Sequence, residues 1–429
     1  MNLDEQKEGS MEFLVALYLA FLLFLCFVFF KNVYNPAVIF TGFWLIIFIL
    51  YAFHLYGLYH MSDEAIFLFV LGITFYDIGC LLMKQIKIKQ KSKKYSLNET
   101  RIKFLFYISF VILLVQVISN LSLLRGGLSA VAIRYSTTIE KSYLLTVLQN
   151  FVAIPISVCF IAIFFSNIIY SNKNKKIAFY AIILIFLDLL AVFETMDIYL
   201  FAAGVIFLIL YSISINGVDY VRKIKNSLKK MSKVLIIGVF SLVSLRSISL
   251  FKHLYIYLTG SLVCFSEKLA DFHTETFNLV GMKTYGVASI QGILRPFVGA
   301  LEQFGFSSKV FDSADIFYWP WLGVPLAIGS TETTSSFNYF TTPFLFFFKD
   351  LGITGVMLFS LLYGLLCTYF YRKLRVSHSL YYTTIYIFII FSIFMTLMEA
   401  PFVRQTFAMA ILYIIFTRRK YDTRGDSYI

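Results

Sequence analysis

Across 429 residues, 59% of the side chains are hydrophobic and only 14% are charged, against about 25% charged in a soluble domain, which excludes a water-soluble fold closed around one apolar core. The formal net charge of +13 comes from short basic runs between apolar stretches, the pattern of loops facing anionic lipid and not of a nucleic-acid surface. Five scattered cysteines (Cys26, Cys80, Cys159, Cys264 and Cys367) form no CxxC pair and no His–Cys cluster, so neither a disulfide framework nor a metal site is expected, and no cofactor motif is present.

Apolar runs of about 17–25 residues are the length that crosses a bilayer as helix. In chain order they fall near 11–30, 37–58, 64–83, 104–124, 143–169, 177–193, 197–215, 233–250, 344–371, 379–398 and 401–417. The predicted fold is therefore an all-α polytopic integral membrane protein with about eleven transmembrane helices. The first run follows acidic residues and lacks a small-residue cleavage site, so it reads as a retained span. Phe and Tyr are abundant (49 and 29) beside only 3 Trp, which fits interfacial preference and carries no catalytic inference.

Basic residues cluster in 84–103, 173–176, 222–233, 372–375 and 418–420. The intervening loops at 59–63, 125–142, 194–196 and 399–400 are poorer in them. An extracytoplasmic N-terminus and a cytoplasmic C-terminus put every strongly basic loop in the cytoplasm. The longest polar segment, 251–343, is then one large extracytoplasmic loop, and a loop of that length is more than a connector. With no linker or repeat, 1–429 reads as a single membrane domain.

Ionisable groups at membrane depth or its edge are costly, which makes them functional candidates. Arg125, Arg134, Arg246, Arg295 and Arg404 fall on the extracytoplasmic side, and a guanidinium fork suits phosphate oxygens. For any one of them, pairing with a neighbouring acid or reaching for lipid headgroups is the plainer account. Glu194, Asp197, Glu267, Asp271, Glu275, Glu302, Asp312, Asp315, Glu332, Asp350 and Glu399 lie on the same side, and one of them could be a general base. Asp350 beside Lys349, and Glu399 close to Arg404, equally suggest local ion pairs. His253 and His273 lack a partner at metal-ligand spacing. Asp77 and Asp188 lie inside spans, as in a carrier, but no internal repeat accompanies them. Trp319 and Trp321, in the run from Phe317 to Trp321, could stack on sugars or anchor at the interface.

Three stretches resemble bacterial O-antigen polymerases. Asn35-Pro36 followed by Phe40 and Trp44 is similar to the opening of that family, and Arg125-Gly126-Gly127 leading to Arg134-Tyr135 is similar to its first outer basic loop. Ser335-Ser336-Phe337-Asn338 leading to Lys349-Asp350-Leu351-Gly352-Ile353-Thr354-Gly355 resembles its approach to the span after the large loop. Tyr257-Leu258-Thr259-Gly260 is a fourth, weaker echo. Where relatives carry an arginine between the middle spans, this chain has Glu194-Thr195-Met196-Asp197. The resemblance implies a GT-C-like fold in the bacterial inner membrane and metal-independent glycosyl transfer on its periplasmic face. The substrate would be undecaprenyl-pyrophosphate-linked oligosaccharide, with a chain-length regulator as a partner left open. It implies Arg295, Arg134 and Arg404 at the departing pyrophosphate, with Arg125 and Arg246 behind them, and Glu399 or Asp350 as base. His253, Tyr257, Trp319 and Trp321 would contact substrate. An O-antigen ligase, or a flippase or transporter of lipid-linked oligosaccharide, is the alternative.

Overall fold

The computed structural model describes residues 3–87, 93–119, 143–169, 175–191, 196–214, 250–275, 278–302, 304–331, 334, 337, 340–377 and 379–422. In chain order the helices are α1 (Leu3–Phe30), α2 (Pro36–Tyr51), α3 (Asp63–Gln85), α4 (Glu99–Ser119), α5 (Tyr143–Leu148), α6 (Ile154–Ile169), α7 (Lys175–Ala191) and α8 (Met196–Ser214). They continue as α9 (Leu250–Thr274), α10 (Gln291–Glu302), α11 (Lys309–Ile316), α12 (Pro343–Leu351), α13 (Ile353–Ser377), α14 (Leu380–Met395) and α15 (Gln405–Phe416). Two strands, β1 (Lys93–Leu97) and β2 (Arg418–Asp422), complete the described elements.

Local chemistry sets several boundaries. Asn35 caps α2 by accepting from the Ala37 N–H at 2.9 Å, and Pro36 fills the first helical position, where its missing N–H costs nothing. Ser62 caps α3 in the same way, and Asp63 and Glu64 follow in its first turn. Between these helices the chain turns through left-handed backbone at His54, Tyr56 and Gly57.

Among the described residues, five helical stretches are long and apolar enough to cross a membrane: Met11–Phe30, Asp63–Gln85, Glu99–Ser119, Gln149–Ile169 and Ile353–Ser377. This is consistent with a multi-pass membrane protein. Of the Met11–Phe30 stretch only 17% is buried inside the protein; its inward stripe is Glu12, Val15, Leu19 and Cys26, at helical spacing.

Several expected spans take a different form. The 344–371 run is two helices, because Gly352 breaks it with φ 67° between α12 and α13. The runs at 37–58, 379–398 and 401–417 hold the 16-residue α2, the 16-residue α14 and the 12-residue α15. A π-helical turn at Gln149–Ala153 separates α5 from α6. The 233–249 part of the eighth run lies outside the described residues. The stretch expected as a polar loop, 251–343, is itself largely helical, opening with the 25-residue α9. Its middle is buried on every side, through Leu262, Val263, Cys264 and Phe265. The described fold is predominantly helical, as expected, with one small addition: β1 and β2 pair antiparallel with Tyr95 opposite Lys420. The Arg418 guanidinium lies over the Tyr95 ring at 5.0 Å, a contact that a reading of net charge alone does not see.

The chain divides into two compact units. One comprises Met1–Lys87, Arg246–Tyr369 and Ser392–Arg404; the other comprises Ile88–Leu245, Phe370–Phe391 and Gln405–Ile429. In the first, Phe40 stacks on Tyr76 at 3.9 Å and Trp44 meets Phe69 edge-on at 5.1 Å. Helices α3 and α13 cross at glycines: a Cβ on Gly79 would overlap the Leu361 carbonyl, and one on Gly364 would overlap that of Tyr76. Small residues of this kind let apolar helices approach at backbone distance. In the second unit, Phe106 stacks on Tyr180 at 4.2 Å, and the Thr384 hydroxyl donates to Ser166 Oγ at 2.9 Å. Arg101 donates to the Phe416 carbonyl at 2.7 Å, and Asn98 N–H donates to the Thr417 carbonyl at 2.8 Å, holding β1 and β2 together.

Candidate functional site

Within the first unit, three segments distant in sequence interlock at one end of the helices: Gln291–Arg295 on α10, Asp315–Tyr318 at the end of α11, and the turn 399–404. Gly292 is the contact point. Its N–H donates to the Phe402 carbonyl at 3.0 Å, and a Cβ there would lie 2.5 Å from the Arg404 carbonyl carbon. No other side chain permits that approach. Arg295 lies three residues further along, on the same face of α10 as Gly292.

Each arginine has its own carboxylate. Arg295 pairs with Asp315, whose other oxygen accepts from the Gln291 amide. Arg404 Nε donates to Glu399 Oε1, while the Tyr318 hydroxyl donates to Glu399 Oε2 at 2.9 Å. Asp315 and Tyr318 are three residues apart, so one short stretch of chain touches both pairs. The side chains of Arg295 and Arg404 are 40% and 30% exposed, whereas Glu399 is 4% exposed. The arrangement presents two partly open guanidiniums whose orientation is fixed by carboxylates set deeper.

Asp350 stands elsewhere. It is fully buried and accepts from Thr284 Oγ1 at 2.6 Å, from the Ala288 N–H at 3.1 Å, and from both the N–H (3.0 Å) and hydroxyl of Ser289. Such a carboxylate anchors the turn that leads into α10 and leaves little for an incoming hydroxyl. Lys349, expected as its local ion partner, goes to other groups: the Val280 and Met282 carbonyls and Ser313 Oγ at 2.8 Å.

The remaining sequence candidates disperse. Tyr257 packs edge-on against Phe340 at 5.3 Å, and Trp321 stacks on Phe317 at 5.2 Å with Lys268 Nζ 4.9 Å from its ring. Trp321 is thus engaged in packing. Arg125, Arg134, Arg246 and Glu194 lie outside the described residues, as do the side chains of His253 and Trp319. His273 pairs with Glu64 at 3.0 Å on an exposed surface. Asp77 accepts from Thr41 Oγ1 at 2.8 Å.

Sequence reasoning passed over Gln291 and gave Asp315 and Tyr318 no particular part; the only signal was their presence in the long segment. It also missed Glu12, His54 and His60, whose ligand atoms lie within 4.8 Å of one another. Glu12 is 42 residues from His54 in sequence, so no local spacing announces them. No protein-family model, curated protein or solved structure matches this chain.

Proposed function

We propose that this protein is an O-antigen polymerase that joins oligosaccharide repeat units carried on undecaprenyl pyrophosphate, at the periplasmic face of a bacterial inner membrane. The observation that carries the reading is the seam at Gly292, which puts Arg295 and Arg404 on adjoining segments. In the reaction an acceptor hydroxyl attacks the anomeric carbon of the donor glycan. The bond from that carbon to the pyrophosphate oxygen breaks, and the electron pair leaves with pyrophosphate. Charge thus grows where the arginines are, and donors fixed beforehand stabilise it most. At rest Asp315 and Glu399 neutralise the two guanidiniums. As pyrophosphate takes over an arginine, the carboxylate beside it is released to accept the hydroxyl proton. Asp350, already saturated with donors, holds the turn that leads to Arg295.

Deletion of the gene in its own host, with surface lipopolysaccharide resolved on a gel, tests this. A ladder reduced to core plus a single repeat unit supports polymerisation, because flipping and ligation still work. Core alone would move the assignment to a ligase or flippase, and an unchanged ladder would remove the protein from this chemistry. Arg295→Ala and Arg404→Lys, both inserted normally, are expected to fail to restore the ladder. Arg404→Lys keeps the charge and loses the fork that meets Glu399.

A further inference from the structure

A second cluster lies in the same unit, where α1 begins and the chain turns from α2 to α3. Glu12 Oε2 is 2.5 Å from His54 Nε2, and Glu12 Oε1 is 3.0 Å from His60 Nδ1. The Glu12 side chain is only 3% exposed, His54 is 19% exposed and His60 is 35% exposed. Among the described residues no lysine or arginine pairs with Glu12. A carboxylate at that depth requires positive charge beside it.

The tautomer of His54 sharpens the requirement. Its Nδ1 is 3.3 Å from the Leu58 carbonyl oxygen, which only accepts, so Nδ1 carries the hydrogen. A neutral ring would then turn the Nε2 lone pair onto a carboxylate oxygen at 2.5 Å. Lone pair facing lone pair at that distance is repulsive, so a cation or a proton belongs between them. An imidazole whose outer N–H goes to a backbone carbonyl, with its inner nitrogen aimed at other donors, is the usual posture of a metal-bound histidine.

The surrounding chain is braced for the task. His54 and Tyr56 hold left-handed backbone at φ 43° and 62°, a strain that persists only where neighbours enforce it. Here they do. The Tyr51 hydroxyl donates to the Tyr59 carbonyl at 3.1 Å and accepts from the Met61 N–H at 2.8 Å. The Tyr255 hydroxyl donates to the Leu50 carbonyl at 2.9 Å and accepts from the Leu55 N–H at 3.0 Å. Among the described residues, Tyr51 and Tyr255 are the other titratable groups facing the cluster. Lys252 sits further out, 5.3 Å from the centre of the Tyr56 ring.

We propose that Glu12, His54 and His60 bind a divalent transition-metal cation of the zinc type. Two imidazole nitrogens and one carboxylate suit zinc, and a fourth position on the exposed His60 side is left to water. With bonds of about 2.0–2.1 Å, tetrahedral donors stand about 3.3 Å apart, and the three ligand atoms, already within 4.8 Å of one another, are within reach of that spacing. The metal ties the start of α1 to the 54–60 turn. That turn also carries the Leu58–Gly329 bridge, so the ion clips the long 278–340 segment to the helices. The role is structural and separate from the arginine pairs.

The test uses the full chain, purified in detergent without a histidine tag and stripped with EDTA, with zinc and cobalt(II) as the probes. Titration calorimetry is expected to show one saturable zinc site per chain. Cobalt is expected to give the visible bands of a tetrahedral nitrogen–oxygen site without a thiolate charge-transfer band, since the five cysteines are free, buried and elsewhere. Zinc is also expected to raise the thermal midpoint. His60→Gln, the most exposed ligand and the least needed for folding, is expected to weaken zinc binding by at least the roughly 10–100-fold that loss of a ligand's supporting partner costs and to cancel the thermal shift. Absence of saturable binding by the wild-type chain would overturn the proposal, as would equal affinity in His60→Gln. A midpoint that falls as pH rises through the histidine range and ignores both metals would show that the pair holds a proton instead.

Discussion

At the scale of single residues, the two acids flagged as possible bases part company on burial and donor count. Asp350 has four donors converging on it, two of them backbone N–H groups with no other partner given to them by the fold. Asp350→Ala leaves those donors buried and unmet, at a cost of about 1–3 kcal/mol for each that finds no other partner. The expected outcome is a marked fall in thermal midpoint or in folded yield on size-exclusion chromatography. A variant that melts like wild type and has lost only activity would return Asp350 to the chemistry. Lys349, its neighbour, turns instead to the Val280 and Met282 carbonyls and to Ser313. The sequence showed both residues and their adjacency. It did not show that each faces a different set of partners, because that depends on the Gly352 break and on the return of the 279–289 turn.

At the scale of elements, apolar length identified helices far better than it identified their ends. The runs at 64–83, 177–193 and 197–215 became α3, α7 and α8 with boundaries shifted by a residue or two, since nothing but hydropathy decides them. Where a glycine, a proline or a left-handed residue intervenes, the same index blurs two elements into one, as at 344–371. The β1–β2 ribbon was invisible for a different reason: its residues read as a basic run, and its pairing joins segments more than 300 positions apart. The arginine site shares that character. Arg295, Arg404 and Glu399 were legible as residue types in segments read as extracytoplasmic, but their meeting depends on backbone contact at Gly292. Gly292→Val is therefore an informative substitution. Its side chain would meet the Val403 and Arg404 carbonyls, which are backbone and cannot swing aside, and overpacking of this sort costs about 1–3 kcal/mol. The proposed polymerisation is expected to fall by more than the loss of folded protein accounts for, because α10 and the 399–404 turn are pushed apart. Activity that tracks folded yield alone would mean that the seam positions nothing.

At the scale of the whole molecule, hydrogen bonds between distant segments constrain which loops share a side of the membrane, whatever the number of crossings. Segments that bond directly lie on one side, so an even number of spans separates them. Leu58 bridges Gly329, Gly292 N–H donates to Phe402, and β1 pairs with β2. The spans read from sequence put six crossings between the first pair of segments, two between the second and eight between the third, all even, as pairing requires. The same reading places the basic ribbon of β1 and β2 in the cytoplasm, where anionic lipid favours it, and the arginine pairs and Glu12 cluster outside. Reporter fusions decide the sign that parity leaves open. Alkaline phosphatase inserted after Gly305, between exposed Phe304 and Phe306, is expected to be active, and green fluorescent protein fused after Ile429 is expected to fluoresce. Inactive phosphatase with a dark C-terminal fusion would invert the orientation, leaving the arginines facing the cytoplasm and ruling out a periplasmic reaction there. Active phosphatase with a dark fusion would put 305 and the C-terminus on the same side. That would require a span to be added or lost between α11 and β2, where α14 and α15, at 16 and 12 residues, are the shortest candidates to cross.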